Sequence, residues 1–301
     1  MSEAGSILVE RARVTRHERH PGAQHILAFD SPQIAARAAP GSFLHMDCGP
    51  EWLLRRPMSI MSAESASGEI EILFKEVGHG TLTLAALEAG DETELIGPIG
   101  NRFTNIAGRP RRLLIGGGVG IPPMIYYAEA LVAAGEPEPL VIAGSELPFP
   151  FVLQKATLDL PGAEVAEARA LTRLEALGVP NRLASLTEIP GSYRGFVPAL
   201  AERIIAALPV GERERIALYA CGPTPMLAAV AALARRYDLP CQVSLEEYMA
   251  CAVGGCAGCT VEVATPAGPA MKRVCVDGPV FDAVTVFPAQ PLIEPAETAF
   301  D

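Results

Sequence analysis

The 301-residue sequence lacks the features that would assign it to a membrane or to secretion. No apolar run reaches membrane-spanning length, and segments such as LAAVAALARR are short and end in charge. The N-terminus, MSEAGSILVERARV, carries acidic residues and has no apolar signal core. We therefore expect no membrane span and predict a cytoplasmic protein.

Positive charge and histidine are both scarce. The chain has 24 Lys and Arg against 35 Asp and Glu, a net charge of −11, and no basic stripe that could displace counterions from a nucleic acid. Its five histidines all lie in the N-terminal part, and His79 is the last of them. No Ser/His/Asp or Cys/His set stands out, so the sequence predicts neither nucleic-acid binding nor hydrolysis.

Four of the seven cysteines form a pattern near the C-terminus. The segment CAVGGCAGC places the first three at C-x4-C-x2-C spacing, and the fourth follows in RVCVDGP; they are Cys251, Cys256, Cys259 and Cys275. This is the plant-type ferredoxin spacing for a [2Fe–2S] cluster. The interleaved Gly254, Gly255 and Gly258 allow left-handed turns and a close approach of the backbone to the sulfides. The pattern predicts a carrier of single electrons.

Zinc binding and disulfide formation are the alternatives for these thiols. Zinc sites usually combine two CxxC knuckles or Cys/His pairs, whereas this region has one CxxC and no histidine. Structural disulfides need an oxidising compartment. A chance cluster of buried thiols is a third alternative, and it does not explain the interleaved glycines. Outside the pattern, Cys48 and Cys241 are predicted to be small core residues.

Residues 6 to about 107 predict a small antiparallel barrel. Short strand segments such as HILAFD, GSFLHMDC, RPMSIMS and EIEILFKEV are separated by Pro, Gly and Ser. TLTLAALEAG is the one predicted helix here, with Thr81 as its N-cap.

From about residue 110, strands alternate with helices, as in RRLLIGGGVGIPPMIYYAEALVAAG and RIALYACGPTPMLAAVAALARRY. This alternation predicts a doubly wound parallel sheet. RLASL and GFV are further candidate strands, and the irregular stretch 146–190 predicts one or two helices with a connecting loop. The expected divisions are a barrel at 1–107, an α/β domain at 108–240, and a small ferredoxin-like cluster segment with a tail at 241–301.

Two glycine-containing turns follow strands of the predicted sheet. In GGGVGIPP, small residues let backbone N–H groups and a helix N-terminus face a phosphate, although a tight connection explains them equally well. CGPTPM opens the next helix at the same sheet edge, where compact backbone suits a ledge beneath a nicotinamide ring; a plain turn is the alternative. The candidate residues are Gly116, Gly117, Gly118, Gly120, Cys221, Gly222 and Pro223.

Two motifs in the barrel are candidates for anion binding. In RPMS, Arg56 suits a pyrophosphate in fork geometry and Ser59 suits a hydrogen bond to a ring atom. In HGTLTL, Gly80 and Thr81 open a helix, which is either a second anion site or simply a helix cap. Trp52, beside two leucines, is predicted to be a barrel-rim residue.

Taken in order, RPMS, GT, GPIGN, GGGVGIPP, CGPTPM and the four cysteines resemble the ferredoxin–NADP reductase-like flavoproteins. Within that superfamily, the chain is most similar to the electron-transfer subunits of class 1B dihydroorotate dehydrogenase, over nearly its whole length. The resemblance implies cluster ligation by the four cysteines and FAD binding by Arg56, Pro57, Met58, Ser59, Leu73, Phe74, Lys75, Gly80 and Thr81. Ala252 and Tyr248 stand where this family usually has Gly and Arg.

The resemblance also implies a function. Electrons would move between NAD(H), FAD and a [2Fe–2S] cluster, with no catalytic acid–base residue, in a heterotetramer with an FMN-containing dehydrogenase catalytic subunit of pyrimidine biosynthesis. A carboxylate near the adenosine ribose favours a free 2′-hydroxyl, so Ser145 and Glu146 after strand PLVIAG predict NAD(H) over NADP(H). The alternatives are a reductase that serves another dehydrogenase, an oxygenase or a hydrogenase, and a cluster-holding assembly subunit without flavin.

Overall fold

The N-terminal part of the chain is a closed antiparallel barrel of six strands, in the order β1-β2-β5-β4-β3-β6. The computed structural model describes residues 7–136 and 139–289, so the predicted tail beyond residue 289 lies outside the described residues. The strands are β1 (Leu8–His20), β2 (Gln24–Asp30), β3 (Phe43–Met46), β4 (Arg56–Glu64), β5 (Glu69–Lys75) and β6 (Glu92–Ile99), with short helices α1 (Pro32–Ala35) and α2 (His79–Ala85). The predicted barrel is confirmed.

Side-chain alternation decides what each barrel strand buries. In β3, Leu44 and Met46 point into the barrel core, and in β4 Met58 and Ile60 join them. Successive residues of a strand point to opposite faces, so the residues between them lie on the outer face of the barrel.

The prediction of one helix in the barrel region was right in its place, missed the four-residue helix α1, and was wrong about the N-cap. Helix α2 begins at His79 with Gly78 as its N-cap, and Thr81 lies inside the first turn. The Thr81 hydroxyl accepts the backbone N–H of Val77 at 2.9 Å and donates to the Gly78 carbonyl at 2.8 Å. Thr81 therefore caps the helix from its third position.

The remainder of the chain is organised around a seven-stranded sheet in the order β12-β11-β8-β7-β13-β14-β17. Its pairings are parallel except that β17 runs antiparallel to β14. The strands are β7 (Arg111–Gly117), β8 (Leu140–Gly144), β11 (Asn181–Ser185), β12 (Tyr193–Arg194), β13 (Ile216–Cys221), β14 (Cys241–Ser244) and β17 (Val280–Asp282). The predicted parallel sheet is confirmed.

Helices cover the two faces of this sheet, and two short hairpins lie outside it. The helices are α3 (Ile121–Ala133), α4 (Thr172–Glu175), α5 (Val197–Ala207), α6 (Val210–Arg213), α7 (Thr224–Arg236) and α8 (Ala283–Val286). One hairpin pairs β9 (Leu153–Lys155) with β10 (Arg169–Leu171), and the other pairs β15 (Thr260–Thr265) with β16 (Gly268–Arg273).

Two predictions for this part of the chain need correction. The stretch 146–190 contains the β9–β10 hairpin and only the four-residue helix α4, because its apolar residues are spaced too irregularly to give a long helix a buried face. The segment GFV is not a strand, since Phe196 is the N-cap of α5. The strand predicted at RLASL is confirmed as β11.

Helix α3 joins the two parts of the molecule. It packs against β7, β8 and β13 of the sheet and also along β4 of the barrel. Its Tyr126 is buried in the same hydrophobic cluster as the barrel interior. The barrel and the α/β part therefore share a packed boundary.

Among the described residues, no helix combines the length and the apolar character needed to cross a membrane.

Candidate functional site

The two glycine-containing turns lie side by side, as their sequence positions predict. Strands β7 and β13 are parallel neighbours with Gly116 paired to Cys221, so both turns leave the same edge of the sheet. A Cβ atom on Gly120 would lie 2.3 Å from the Cys221 carbonyl oxygen, and one on Gly116 would lie 2.7 Å from the Cα of Ile121. Only glycine allows this backbone contact.

The turn after β7 also leaves room for a ligand. Gly118 has φ of +56° and opens a short 3₁₀ turn, and a Cβ atom there would have no neighbour within 4 Å. Gly117 faces the side chains of Met226 and Pro223 in the neighbouring turn. The 3₁₀ turn contacts β5 of the barrel, so the predicted phosphate-binding turn adjoins a predicted flavin-binding strand.

Cys221 and Glu246 lie at this same edge. Burial raises the pKa of the Cys221 thiol to about 12, and the nearby charge of Glu246 contributes. The thiol therefore stays neutral at physiological pH and is not an activated nucleophile. Sequence reasoning missed Glu246; its position two residues after β14, beside β13, is the signal that could have found it.

Arg56 lies across the start of α2. Its guanidinium nitrogens and carbon occupy positions 2.7–2.8 Å from where a Cβ atom on Gly80 would be, so any larger residue at 80 would displace it. Its Nη1 donates to the Leu54 carbonyl at 2.7 Å, within the same segment of chain. Arg56, Gly80 and Thr81 are thus brought together, and their cationic group beside backbone amides suits a pyrophosphate.

The other predicted flavin residues divide between core and surface. Met58 points into the barrel, and its neighbours Pro57 and Ser59 lie on the outer face of β4 and are partly exposed. Leu73 and Phe74 are buried, and Lys75 is the exposed member of that strand segment.

Trp52 closes the rim of the barrel, as predicted. Its ring stacks on His79 with centroids 4.9 Å apart, and its Nε1 donates to the Thr83 hydroxyl at 3.0 Å. Both partners belong to α2, so Trp52 holds that helix in place.

The four cysteines form two pairs in one region. Interactions between side chains link Cys251 to Cys256 and Cys259 to Cys275. Cys259 and Cys275 are buried, whereas Cys256 is exposed and Cys251 is intermediate. A [2Fe–2S] cluster has two irons that each take two thiolates, so this arrangement matches its donor set, with one pair inside and one at the surface.

Backbone N–H groups point at the outer pair of sulfur atoms. The Cys256 amide donates to Cys251 Sγ, and the Gly258 amide donates to Cys256 Sγ, each at 3.4 Å. Backbone N–H groups, that of Val253 first, lower the pKa of Cys251 to about 6. Burial raises the pKa of Cys275 to about 12. The outer side of the loop therefore already favours thiolate.

The loop achieves this geometry through left-handed residues. Gly254 has φ of +81°, and the non-glycine residues Ala252 and Ala257 have φ of +55° and +54°. Ala252 occupies the position where the related family usually has glycine, and the structure gives the physical reason for that preference. Within residues 7–136 and 139–289, no three His, Cys, Asp or Glu side chains form a group compact enough to hold a single metal ion.

Asn101 fastens the cluster segment to the barrel, a role that sequence reasoning missed. Its side chain donates to the Val280 carbonyl and accepts the Val280 amide, both at 2.8 Å, and its backbone N–H donates to Gly278 at 2.7 Å. The motif GPIGN thus meets the segment that follows Cys275. The two cysteines predicted to be core residues, Cys48 and Cys241, are buried as expected.

Comparison with known proteins gives matches to the cluster segment and to most of the chain. Residues 246–287 match the iron–sulfur cluster binding domain of dihydroorotate dehydrogenase B. The dihydroorotate dehydrogenase B (NAD(+)) electron transfer subunit of Caldanaerobacter subterraneus subsp. tengcongensis is 33% identical over 276 residues, which cover 92% of this chain and 97% of that protein. The subunit of the same name from Bacillus caldolyticus is 32% identical over 81% of this chain and 85% of its own length.

The chain belongs to the electron transfer subunits of dihydroorotate dehydrogenase B. This confirms the predicted family and the predicted class of function, an oxidoreductase subunit that transfers electrons. The predicted cofactors, FAD, a [2Fe–2S] cluster and NAD(H), agree with the family and with its cluster-binding domain.

Solved structures confirm the fold of this electron transfer subunit. A structure of NADH-dependent reduced ferredoxin-NADP oxidoreductase has a TM-score of 0.72 at 24% identity and covers 91% of this chain and 89% of its own. The ferredoxin reductase in carbazole 1,9a-dioxygenase has a TM-score of 0.58 at 20% identity, over 79% of this chain and 68% of its own.

Proposed function

We propose that this subunit moves electrons between NAD(H) and an FMN-containing catalytic subunit that acts on dihydroorotate in pyrimidine biosynthesis, in a heterotetramer with two copies of each chain. The observation that carries the proposal is the set of four paired cysteines, one pair buried and one at the surface, in a chain whose relatives are named for this system. The proposed regions are the flavin-binding barrel at 1–107, the NAD-binding part at 108–240 and the cluster segment at 241–301.

The NAD(H) site in this proposal is the sheet edge formed by the turns after β7 and β13. Gly118 offers open backbone beside the N-terminus of α3, which suits a phosphate. Gly120 and Cys221 pack backbone to backbone, and Gly222 and Pro223 continue this surface as a flat ledge for the nicotinamide. Gly116 and Gly117 support it through close packing with the neighbouring turn and helix.

The FAD site is the outer face of β4 with the start of α2. Arg56 supplies the cation for the pyrophosphate, Gly80 and Thr81 shape the backbone beneath it, and Ser59 lies on the face directed away from the barrel core. When bound, the flavin supplies the exchange between two-electron hydride transfer and single-electron transfer. The protein provides binding and orientation, so no acid–base residue is needed.

The surface pair of cysteines is the proposed exit toward the catalytic partner. Cys256 is exposed, and exposed apolar side chains surround it in sequence, among them Tyr248 and Val253. These residues are candidates for the rim of the subunit contact.

The cytoplasm is the compartment we propose, because thiolate ligands and three further unpaired cysteines suit a reducing environment.

A preference for NAD(H) over NADP(H) is part of the proposal. The loop after β8 carries Glu146, whose backbone carbonyl accepts a hydrogen bond of 3.4 Å from Thr187 Oγ1 in the loop after β11. Glu188, next to Thr187, pairs with Arg194 at 3.7 Å, so the preference rests on Glu146, whose carboxylate would repel a 2′-phosphate. Steady-state kinetics should give a much lower KM for NADH, and a lower KM for NADPH would contradict the assignment.

Isolation from the native host tests the function as a whole. We expect a yellow-brown protein with flavin and [2Fe–2S] absorbance that co-purifies with a dihydroorotate-oxidising subunit. Cluster absorbance without flavin would favour the assembly-subunit alternative. Flavin and cluster absorbance in a protein that co-purifies with an oxygenase or a hydrogenase would favour the alternative of a reductase that serves that enzyme. The variant Cys256→Ser should lose the cluster spectrum and retain flavin, whereas Cys48→Ser should keep both.

A further inference from the structure

The outer face of β3 lies between the flavin-binding strand and the cluster segment. Because Leu44 and Met46 point into the barrel, Phe43 and His45 point outward. On one side, β3 pairs with β4, and His45 is opposite Pro57 while Phe43 is opposite Ser59. Paired residues of antiparallel strands share a face. His45 and Phe43 therefore share a face with the outward residues of the RPMS motif.

The cluster segment approaches this same face at His45, whose ring lies near the backbone carbonyl of Met249. Phe43 belongs to the large hydrophobic cluster that also contains Met249 and Cys275. Met249 precedes the first cluster cysteine by two residues. Strand β3 thus adjoins the proposed flavin-binding strand and, at His45, the backbone that leads into the cluster loop.

His45 is the one polar side chain on this strand, and it has unused hydrogen-bonding capacity. It is 1% exposed, and neither ring nitrogen has a hydrogen-bond partner of good geometry among the described residues. The backbone carbonyls of Met249 and Arg55 lie near the ring. Burial lowers the pKa of His45, and the charges of Arg55 and Arg56 lower it further, so the ring is neutral at physiological pH and has a single N–H.

A buried imidazole N–H without a partner costs stability, and the carbonyl of Met249, near the ring, is an available acceptor. We propose that His45 is a positioning residue whose ring N–H holds the Met249 carbonyl, and through it the start of the cluster loop, at a fixed distance from the flavin-binding strand. The inference rests on the proposed function. It adds a determinant of electron passage between the two cofactor sites, in a residue that ligates neither.

The test compares His45→Leu, which removes the N–H, with His45→Gln, which keeps a side-chain N–H donor. Rapid mixing with NADH should show unchanged flavin bleaching in both. Cluster reduction should be slower in His45→Leu than in the wild type, because the start of the cluster loop is then no longer held at a fixed distance from the flavin-binding strand. His45→Gln should restore most of the rate. The EPR spectrum of the dithionite-reduced cluster should change in His45→Leu and not in His45→Gln.

Phe43→Leu is the matched control, since it alters packing on the same face and keeps His45. An equal slowing in Phe43→Leu, an unchanged rate and EPR spectrum in His45→Leu, or no rescue by His45→Gln would each overturn the proposal. Should His45→Leu not fold, His45→Phe removes the nitrogens while filling the space and carries the same comparison. If the wild-type protein itself passes no electrons from NADH to the cluster, the proposed function fails instead.

Discussion

At the scale of single residues, glycines decide how closely the nucleotide-binding turns approach each other. Gly120 and Gly211 show the contrast. A Cβ atom on Gly120 would meet backbone atoms of Cys221 and Gly222 at 2.3–2.6 Å, whereas one on Gly211 would have no neighbour within 4 Å. Backbone cannot move aside as the tip of a long side chain can, so the cost of adding a methyl group differs sharply between these two positions.

Gly120→Ala should separate the turns after β7 and β13. We expect a loss of about 3 kcal/mol in the free energy of unfolding, at the upper end of overpacking effects, and a raised KM for NADH. Gly211→Ala should be neutral or stabilise by up to about 1 kcal/mol, because Gly211 lies in a helix and is unobstructed. Urea unfolding and steady-state kinetics check both variants, and equal behaviour of the two would refute the close-packing argument.

Site residues could be predicted from the sequence where the chemistry of the site requires one residue type. Four thiolates for a cluster and glycines for tight turns leave a pattern in the chain. His45, Glu246 and Asn101 left no such pattern, because each depends on strands or loops that are distant in sequence. His45, for instance, becomes notable only when alternation along β3 places it beneath Met249.

At the scale of elements, the cluster loop is a backbone forced into left-handed conformations. Ala257 is exposed and has φ of +54° between two residues of the cysteine motif. A non-glycine residue pays roughly 1–2 kcal/mol for that conformation. Glycine at this position would avoid the strain. It would also lower the free energy of unfolding by about 0.4–1 kcal/mol, because glycine gives the unfolded chain more conformational freedom.

Ala257→Gly should therefore stabilise the holoprotein by about 0.5–1 kcal/mol. The exposed Ala264 in strand β15 is the matched control, because its backbone is extended and glycine there should destabilise by about that amount. Thermal unfolding of the cluster-loaded protein measures both changes. A lower Tm for Ala257→Gly would show that the left-handed alanine carries no strain.

A second element-scale feature is a hydrogen-bonded chain that ties β1 and β2 to the loop after β5. His17 Nδ1 lies 2.6 Å from the Leu87 carbonyl, His17 Nε2 lies 2.9 Å from His25 Nδ1, and His25 Nε2 lies 2.7 Å from Glu76. Acceptors stand at both ends. The three hydrogen bonds need three protons, and two neutral imidazoles supply only two. All three therefore form only when one further proton is bound. Burial lowers the pKa of His17, which disfavours a charge on that ring.

Glu76→Gln should preserve this chain, because the amide N–H donates to His25 and both imidazoles then remain neutral. Glu76→Leu should lose about 1–3 kcal/mol, since it leaves Nε2 of the buried His25 without a partner. Urea unfolding at neutral pH measures the difference. An equal loss in the two variants would mean that packing, not the hydrogen-bonded chain, sets the stability here.

Elements were predictable in proportion to their periodicity. The barrel strands and the strand–turn–helix units of the sheet have clear alternation or clear apolar runs, and they were placed correctly. The stretch 146–190 has neither, and its β9–β10 hairpin forms through pairing of residues more than ten positions apart. Local pattern contains little information about such pairings.

At the scale of the whole molecule, a cluster of charges holds the barrel against the α/β part. Glu71 in β5 pairs with Arg16 in β1 and with Arg173 in α4, the latter at 2.6 Å. Arg173 also pairs with Glu129 in α3, with one contact at 2.9 Å. Glu71 is central, and only 11% of its side chain is exposed. Glu71 therefore links the barrel to the α/β part by charge, in addition to the packing of α3 on both.

The charge state of Glu71 links this boundary to pH. Burial disfavours the carboxylate, but Arg173 and Arg16 together outweigh burial and hold the pKa of Glu71 below its usual value. A lowered pKa in the folded state stabilises the protein above the unfolded-state pKa of about 4.3, and that contribution is lost as pH falls through the folded-state value. The boundary should thus remain intact from neutral pH down to about 4.

Glu71→Gln should lower the free energy of unfolding by about 1–2 kcal/mol at pH 7, because it removes the shared carboxylate of two partly exposed guanidinium groups, each of which keeps a second carboxylate partner. The gap between variant and wild type should narrow below about pH 4, as the wild-type carboxyl becomes protonated. Glu92→Gln is the control; its partner Arg11 is largely exposed, so the change should stay within about 0.5 kcal/mol. Urea unfolding between pH 3 and 7 measures all three proteins, and a gap that is constant across this range would show that Glu71 acts through packing rather than charge.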